Sequence, residues 1–341
     1  MENRDYFYDN IKGLLIITVV ICHFLGYCMT KSDTAMRSLV LFIYYFHMPL
    51  FIFVSGYFSK NPEKCRENAF RSLFMVFLVA QIFWVVFKYL TNGSTYYIQH
   101  FLDPGYAIWY IVSLFFWRIC LKDILKLRHA LVISFLLSPL IMFVPEGSTV
   151  LALNKTIGFL FFFLLGHYAT TEHLNRFRRL PKYLGLLGLA LIFGATFLLI
   201  HTGILPYGGT KAIFMHTLLL GEGTSNIWLS LGGYYLSLLV SLVTGICVLI
   251  ATPEKKTFFC SIGEDTLPLY LSHTYFLILT GLLFDTVAFS HLGSYAFCLG
   301  LGIILILIFS TKLYRRCFHG VYQFMIGLAY PKSNSKKSTE S

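Results

Sequence analysis

Three histidines lie within long apolar stretches of the sequence, where a titratable side chain is costly and commonly has a function. His23 lies in VVICHFLGY, His47 in YYFHMPLFIFVSGYF and His273 in DTLPLYLSHTYF. An imidazole takes up and releases protons near neutral pH, so the expected chemistry is general acid–base catalysis on a hydroxyl. For His23 the alternative, about as well supported, is a packing role in which the ring is bonded to a neighbouring helix.

His23 shares a helix face with two charged residues. Lys12 precedes His23 by eleven residues, about three turns plus 20°, so both side chains point the same way, about 16 Å apart along the axis. Asp9 lies one turn before Lys12 on the same face. Charges at a helix end also commonly anchor a span at the membrane interface, and position alone slightly favours that role for Asp9 and Lys12.

His47 is expected at a depth similar to that of His23, in a second helix that runs antiparallel to the first. Pro49 follows it and frees a backbone carbonyl, which another group must satisfy. His47 therefore has two equally good interpretations, a cap on that carbonyl or a direct part in catalysis.

His273 lies seven residues from the start of a later apolar run. Glu264 and Asp265 precede that run, and we expect them to cap the helix N-terminus, where negative charge is favoured.

The composition identifies the elements that must position these side chains. Of 341 residues, 57% are apolar and 13% are charged, and the mean hydropathy is +0.69. Soluble domains carry about 25% charged residues, so a soluble enzyme, a disordered chain and a fibrous chain are excluded. Continuously apolar runs near 20 residues are typical of membrane-spanning helices. The sequence therefore predicts an all-α polytopic membrane protein.

We predict ten transmembrane helices with both termini cytoplasmic. Their ranges are 11–29, 39–59, 70–90, 106–121, 129–145, 155–171, 183–202, 228–251, 266–285 and 293–313. This segmentation places 22 of the 27 lysines and arginines on the inner side, as the positive-inside rule requires. The net charge of +11 is explained by this bias, so no nucleic-acid partner is expected.

A single integral membrane domain is expected over 1–330, with a disordered cytoplasmic tail over 331–341. The first apolar run is too long for a cleaved signal peptide. The stretch 202–227 stays ambiguous between an interfacial, a re-entrant and a helix-extending segment. The eight cysteines form no CxxC pair, so neither a disulfide framework nor a zinc site is expected. No HExxH, P-loop, GxGxxG or GxSxG motif occurs, and no metal site is predicted.

The arrangement of these blocks resembles the membrane acyltransferase-3 family, especially its fucose 4-O-acetylase-like branch. YDNIKGLLIITVVICHF is similar to the family's opening block, in which Lys12 and His23 fit an Arg/Lys-x10-His pattern. FHMPLFIFVSGYF is similar to its second block, with His47 and Pro49 in place. These two blocks together are specific.

Later matches are individually weaker but follow in order up to about residue 275. Arg71 stands where the family has a basic residue at the start of the third span, and IWYIVSLFF, with Trp109, resembles the fourth block. FLFFFLLGHY resembles the sixth block, and IGEDTLPLYLSH resembles the ninth, ending at His273. Glu264 and Asp265 depart from that family's usual Asn-Thr or Ser.

The resemblance implies transfer of an acyl group, commonly acetyl from acetyl-CoA, to a hydroxyl of an extracytoplasmic carbohydrate. His23 would be the general base or a transient acyl carrier. Lys12, Arg71 and Arg4 would bind the phosphates of acyl-CoA, with acetyl-CoA as co-substrate and no tightly bound cofactor. Supporting or acceptor-binding roles are expected for Asp9, His47, Trp109 and His273. For Trp109, as for Tyr96 and Tyr97, membership of the interfacial aromatic belt is the stronger expectation.

Two other classes stay open. A proton-coupled transporter or flippase would also use buried histidines, but it predicts internal repeats and discontinuous helices, and the sequence has no visible repeat. A non-catalytic membrane sensor on the same fold is the other alternative, although the presence of both Lys12 and His23 argues against it. The expected location is a cell membrane, most naturally a bacterial one.

Overall fold

The computed structural model describes residues 5–143, 150–206, 226–287 and 289–329, and these contain helices but no strands. Within these described ranges, eight helices are long and apolar enough to cross a membrane, which confirms the predicted all-α polytopic fold. The first half of the chain forms α1 (Tyr6–Cys28), α2 (Thr34–Tyr57), α3 (Pro62–Ala69), α4 (Met75–Asn92), α5 (Tyr96–Gln99), α6 (Trp109–Ile124) and α7 (Ala130–Leu137). The second half forms α8 (Leu153–Tyr168), α9 (Thr171–Arg178), α10 (Lys182–His201), α11 (Ile227–Ala251), α12 (Phe258–Gly263), α13 (Leu267–Thr286), α14 (His291–Phe309) and α15 (Lys312–Ala329).

Eight of the ten predicted spans correspond to full-length helices, and a π-helical turn, Phe70–Phe74, joins α3 to α4 into one of them. The helices at the predicted fourth and fifth spans are shorter than a full membrane crossing. In their place stand α6, with 16 residues, and α7, with 8 residues followed by the 3-10 segment Ser138–Phe143. Pro139 lies in that segment and cannot continue the hydrogen bonding of an α-helix.

Helix α1 starts earlier than the sequence expectation, and one further helix was not expected. Helix α1 begins at Tyr6 because the Asp5 carboxylate accepts a hydrogen bond from the Phe7 N–H at 3.1 Å; this is an N-cap that an apolar-run criterion overlooks. Helix α15 was not predicted, because its apolar and basic residues alternate around one amphipathic helix rather than forming a continuous run.

Close crossings between helices depend on glycines. A side chain at Gly13 would place its Cβ 2.1 Å from the carbonyl oxygen of Phe259, and one at Gly263 would come within 1.9 Å of the carbonyl oxygen of Asp9. These two glycines therefore let α12 lie directly against α1. A second reciprocal pair, Gly56 and Gly166, brings α2 and α8 together in the same way.

The inner end of the molecule, defined as the end where the basic residues predict the cytoplasm, is held by ion pairs. Asp123 accepts hydrogen bonds from Lys126, at 2.8 Å, and from Arg66. These bonds from Lys126 and Arg66 lower the pKa of the Asp123 carboxyl to about 2. Arg178 joins α9 to the start of α1 through Asp5, with 2.8 Å between Nη1 and Oδ2.

Three expectations lie outside the described residues: the placement of Arg4, most of the stretch 202–227 and the tail 331–341. Thr266 occupies the N-cap position of α13 without a side-chain bond. Asp265, which was expected to cap that helix, instead pairs with His319 of α15, 2.6 Å from Oδ2 to Nε2.

Candidate active site

His23 lies on α1, five residues before the outer end of that helix. The structure brings the other two intramembrane histidines to it. The His23 and His273 rings are stacked, with centroids 5.2 Å apart and planes 19° apart, whereas His47 meets the His23 ring edge-on at 6.4 Å. The grouping of His23 with His47, expected from their similar depth, is therefore present, and His273 is a still closer neighbour.

The hydrogen bonds of the cluster fix its protonation pattern. Nδ1 of His273 is 3.1 Å from the carbonyl oxygen of Leu269. A carbonyl accepts hydrogen bonds and never donates, so Nδ1 of His273 carries the proton, and Nε2 of the neutral ring is left as an acceptor. Nδ1 of His23 lies 2.9 Å from that Nε2 and must donate to it. The neutral His23 ring therefore has its lone pair on Nε2.

The exposed fraction of the side chain distinguishes His23 from the other two histidines. His273 is 0% exposed and His47 is 1% exposed, but His23 keeps partly accessible surface. A general base must reach the proton that it removes. His23 meets this requirement, and its Nε2 lone pair is the matching chemical group.

His47 is held by its own helix. Its Nδ1 donates to the carbonyl oxygen of Ile43 at 2.9 Å, and its ring meets Tyr44 edge-on at 4.8 Å. Pro49 leaves the carbonyl of Tyr45 without its usual helical donor. The Nδ1 bond of His47 thus goes to a different carbonyl from the one that Pro49 frees, which removes the capping role expected for this histidine.

Tyr106 forms one wall beside His23, with ring centroids 5.1 Å apart. Its φ of 26° is unusual for a residue with a side chain. Gln81, fully buried on α4, holds the preceding loop by donating to the carbonyl oxygens of Phe101 and Asp103 and by accepting the Gly105 N–H at 3.0 Å. A strained backbone fixed by buried hydrogen bonds is typical of functional sites.

Trp109 and Lys155 lie together on the outer side of the cluster. The Lys155 ammonium is 4.9 Å from the centroid of the Trp109 ring, and that ring stacks on Phe159 at 5.4 Å. Lys155 lies in the first turn of α8 and is partly buried. Trp109 is thus part of a cation–π contact near the site.

The inner residues expected to bind the donor are less closely grouped. Lys12 forms an ion pair with Asp9, with 3.0 Å between Nζ and Oδ1, so the predicted neighbours on one face of α1 are in contact. Arg71 is exposed on the π-helical turn, which packs against α6 rather than α1. Within the described parts of the chain, no group of three or more His, Cys, Asp or Glu side chains is arranged to hold a metal ion.

Sequence reasoning missed Tyr106 and Lys155. Lys155 begins the predicted sixth span, 155–171, and is one of the five lysines and arginines left on the outer side, so its charge indicated topology only. The available signal was a lysine at the start of a span, two predicted spans after the one that contains Trp109. For Tyr106 the sequence carries no such signal, because its position beside His23 depends on the φ angle of its own backbone.

Comparison with known proteins identifies the family. A family model described as an acyltransferase domain matches residues 5–312. Two curated relatives are nodulation proteins named NolL. The Mesorhizobium japonicum protein is 37% identical over 87 residues, covering 24% of this chain and 23% of the relative. The Sinorhizobium fredii protein is 27% identical over 132 residues, covering 33% of this chain and 36% of the relative.

The matched segments thus span about a quarter and a third of the lengths of these curated relatives. No solved structure matches the chain.

Proposed function

The chain belongs to the membrane acyltransferase-3 family, and from this premise we propose that it is an O-acyltransferase. It moves an acetyl or other short acyl group from cytoplasmic acyl-CoA to a hydroxyl of an extracytoplasmic carbohydrate. The observation that carries the proposal is the histidine pair, in which buried His273 orients the accessible His23 with its Nε2 lone pair free.

In the proposed reaction, Nε2 of His23 removes the proton of the acceptor hydroxyl while the hydroxyl oxygen attacks the thioester carbonyl. The tetrahedral intermediate then collapses, the bond from carbon to sulfur breaks, and the His23 imidazolium returns the proton to the CoA sulfur. The products are an O-acyl ester and free CoA. The positive charge formed on His23 strengthens the hydrogen bond from its Nδ1–H to His273, so His273 supports the transition state more than the ground state.

The donor would approach from the inner end of α1. Lys12 lies there with its ammonium bound to Asp9, and an ammonium has three N–H donors, so further bonds to phosphate are available. The rise from Lys12 to His23 is about 16 Å for an α-helix, a distance suited to an extended pantetheine arm. Arg71 and Arg4 are additional candidates for the CoA phosphates.

The acceptor would approach from the outer side. His23 is five residues, about 8 Å of helix rise, from the outer end of α1, so a hydroxyl at the membrane surface has a short path to Nε2. Lys155 places a positive charge over the Trp109 ring, on the outer side of the cluster, and this charge would stabilise the negative charge that develops on the thioester oxygen. Trp109 and Tyr106 provide ring surfaces on which a sugar can pack.

The test is acyl transfer by the purified protein in lipid nanodiscs. Radiolabelled acetyl-CoA is supplied with a panel of sugars and cell-surface glycans, and wild type, His23→Ala, Lys12→Ala and His129→Ala are compared. His129 is exposed at the start of α7 and serves as the matched control for loss of an imidazole.

We expect labelled glycan from wild type and His129→Ala and none from His23→Ala. The transfer rate of Lys12→Ala should recover when the acetyl-CoA concentration is raised, because loss of the lysine ammonium weakens donor binding rather than the chemical step. Equal turnover by wild type and His23→Ala would overturn the assignment of the base. If the folded wild-type protein turns over no acceptor but transports substrate in vesicles, the transporter class is favoured instead.

A further inference from the structure

Two cysteines far apart in the sequence meet where the outer end of α1 lies beside the eighth residue of α14. The sulfurs of Cys28 and Cys298 are 2.7 Å apart. Cys28 is the last residue of α1 and is half-buried, whereas Cys298 is fully buried. This contact is not used by the proposed reaction, and the spacing of cysteines along the sequence does not reveal it because the two residues are 270 positions apart.

The packing around this pair holds the two helices at that distance. Gly302 has no side chain where α14 crosses α1, and a Cβ there would lie 3.2 Å from Ile21. At the outer end, the Tyr295 hydroxyl donates to the Asp33 carboxylate at 2.6 Å, and Nε2 of His291 is 3.4 Å from the same oxygen. Asp33 is the N-cap of α2. Helix α14 is therefore packed against α1 at Gly302 and tied to the start of α2 at its outer end.

We propose that Cys28 and Cys298 form an intramolecular disulfide on the extracytoplasmic side of the membrane. Disulfides form and persist in extracellular and periplasmic compartments, and the distribution of basic residues orients this end of α1 outward. A disulfide bond is about 2.05 Å long, so closure needs less than 1 Å of relative movement from the present separation.

The oxidant is an extracytoplasmic dithiol oxidoreductase in its disulfide form. The partly accessible Cys28 attacks one sulfur of the oxidant's disulfide as a thiolate, and the oxidant's other sulfur leaves as a thiolate. The Cys298 thiolate then attacks Cys28 in this mixed disulfide and releases the oxidant. Two cysteine thiols lose two protons and two electrons, and the oxidant departs as a dithiol.

The bond would constrain the helix that carries the candidate base. His23 lies five residues before Cys28 on α1, so the disulfide ties its outer end to α14. It also closes a loop of about 270 residues, and a long closed loop restricts the unfolded chain strongly in the entropic account of disulfide stabilisation.

Thiol counting in denatured protein tests the proposal directly, without any acyltransferase assay. Cells are quenched with acid, the protein is denatured in detergent, and free thiols are labelled with maleimide–polyethylene glycol with or without prior reduction. The sequence has eight cysteines. We expect six additions to unreduced wild type and eight after reduction, because two thiols are held in the bond.

Variants assign the bond to this pair. Cys28→Ser and Cys298→Ser should each give seven additions with or without reduction, whereas Cys120→Ser, a matched control on α6, should give five and seven. Peptide mass spectrometry without reduction should show a Cys28–Cys298 cross-linked peptide. Eight additions to unreduced wild type, or a cross-linked peptide involving other cysteines, would overturn the proposal.

A stability measurement adds a second readout. The thermal midpoint of unreduced wild type should lie above that of Cys28→Ser, and reduction should remove the difference. Equal midpoints would contradict the constraint on α1.

Discussion

Replacing His273 by phenylalanine tests whether this ring supports the proton transfer at His23. Nδ1 of His23 and Nε2 of His273 are 2.9 Å apart, and phenylalanine keeps the ring while removing the acceptor. A neutral hydrogen bond contributes about 1 kcal/mol, and one to a charged group about 1.5–3 kcal/mol. Their difference, about 0.5–2 kcal/mol, is realised when His23 becomes positively charged. At 1.36 kcal/mol per factor of ten, we expect kcat to fall about 2- to 30-fold.

The KM for acetyl-CoA should stay within about twofold, because a group that acts only in the transition state lowers kcat and kcat/KM together. Initial rates of labelled ester formation in nanodiscs, at several acetyl-CoA concentrations, separate the two parameters. His273→Gln offers a side-chain oxygen as an alternative acceptor and should recover part of kcat. His129→Phe is the control for a histidine exchanged outside the cluster, and size-exclusion chromatography verifies folding.

A folded His273→Phe protein with kcat within twofold of wild type would refute the reasoning from the hydrogen bond. A raised KM with unchanged kcat would do so as well, because it would place His273 in donor binding. Loss of activity in both His273→Phe and His273→Gln, with normal folding, would show that the imidazole itself is needed.

Three further changes probe other parts of the structure. Lys155→Met should lower kcat about tenfold or more, with partial retention in Lys155→Arg, if its charge stabilises the thioester oxygen; equal rates of ester formation in both variants and wild type would contradict this. Gly13→Ala should lower the thermal midpoint, since its Cβ would lie 2.1 Å from the Phe259 carbonyl oxygen and overpacking costs about 1–3 kcal/mol; an unchanged melting curve would argue against the close crossing. Asp123→Asn should lower the midpoint slightly at pH 7. Because the folded pKa of Asp123, about 2, is below the ordinary 3.8, its stabilising effect is present above pH 3.8 and is lost as the pH falls toward 2. Melting curves of both proteins should therefore converge in acid, and a constant difference would contradict the ion pair.

The local features of α1 could be predicted from sequence because they depend on one helix alone. The helical repeat places Lys12 and His23 on one face, and the structure keeps Asp9 and Lys12 in contact. The apolar runs likewise predicted the all-α membrane fold, since span length follows from bilayer thickness. The limits of this criterion are visible at the fourth and fifth spans, where hydropathy alone did not show that the helices would be shorter.

Contacts between distant segments could not be obtained from hydropathy or spacing. The pairing of His23 with His273 joins residues 250 positions apart. Likewise, Lys155 approaches Trp109 only when α8 packs beside α6. The sequence also could not show which carbonyl His47 would bind. A histidine on a helix can reach more than one backbone carbonyl of that helix, and His47 bonds to that of Ile43 instead of the one that Pro49 frees.

The glycine crossing between α1 and α12 gives the segments that lead to the two stacked histidines a common starting point. His23 lies ten residues beyond Gly13, and His273 lies ten residues beyond Gly263. The first segment is a continuous part of α1, whereas the second passes through the non-helical residues 264–266 into α13. One residue inserted into α1 between Gly13 and His23 would turn the histidine by about 100° and raise it by about 1.5 Å. The meeting of the two rings therefore depends on the number of residues between Gly13 and His23, even where residue type is free.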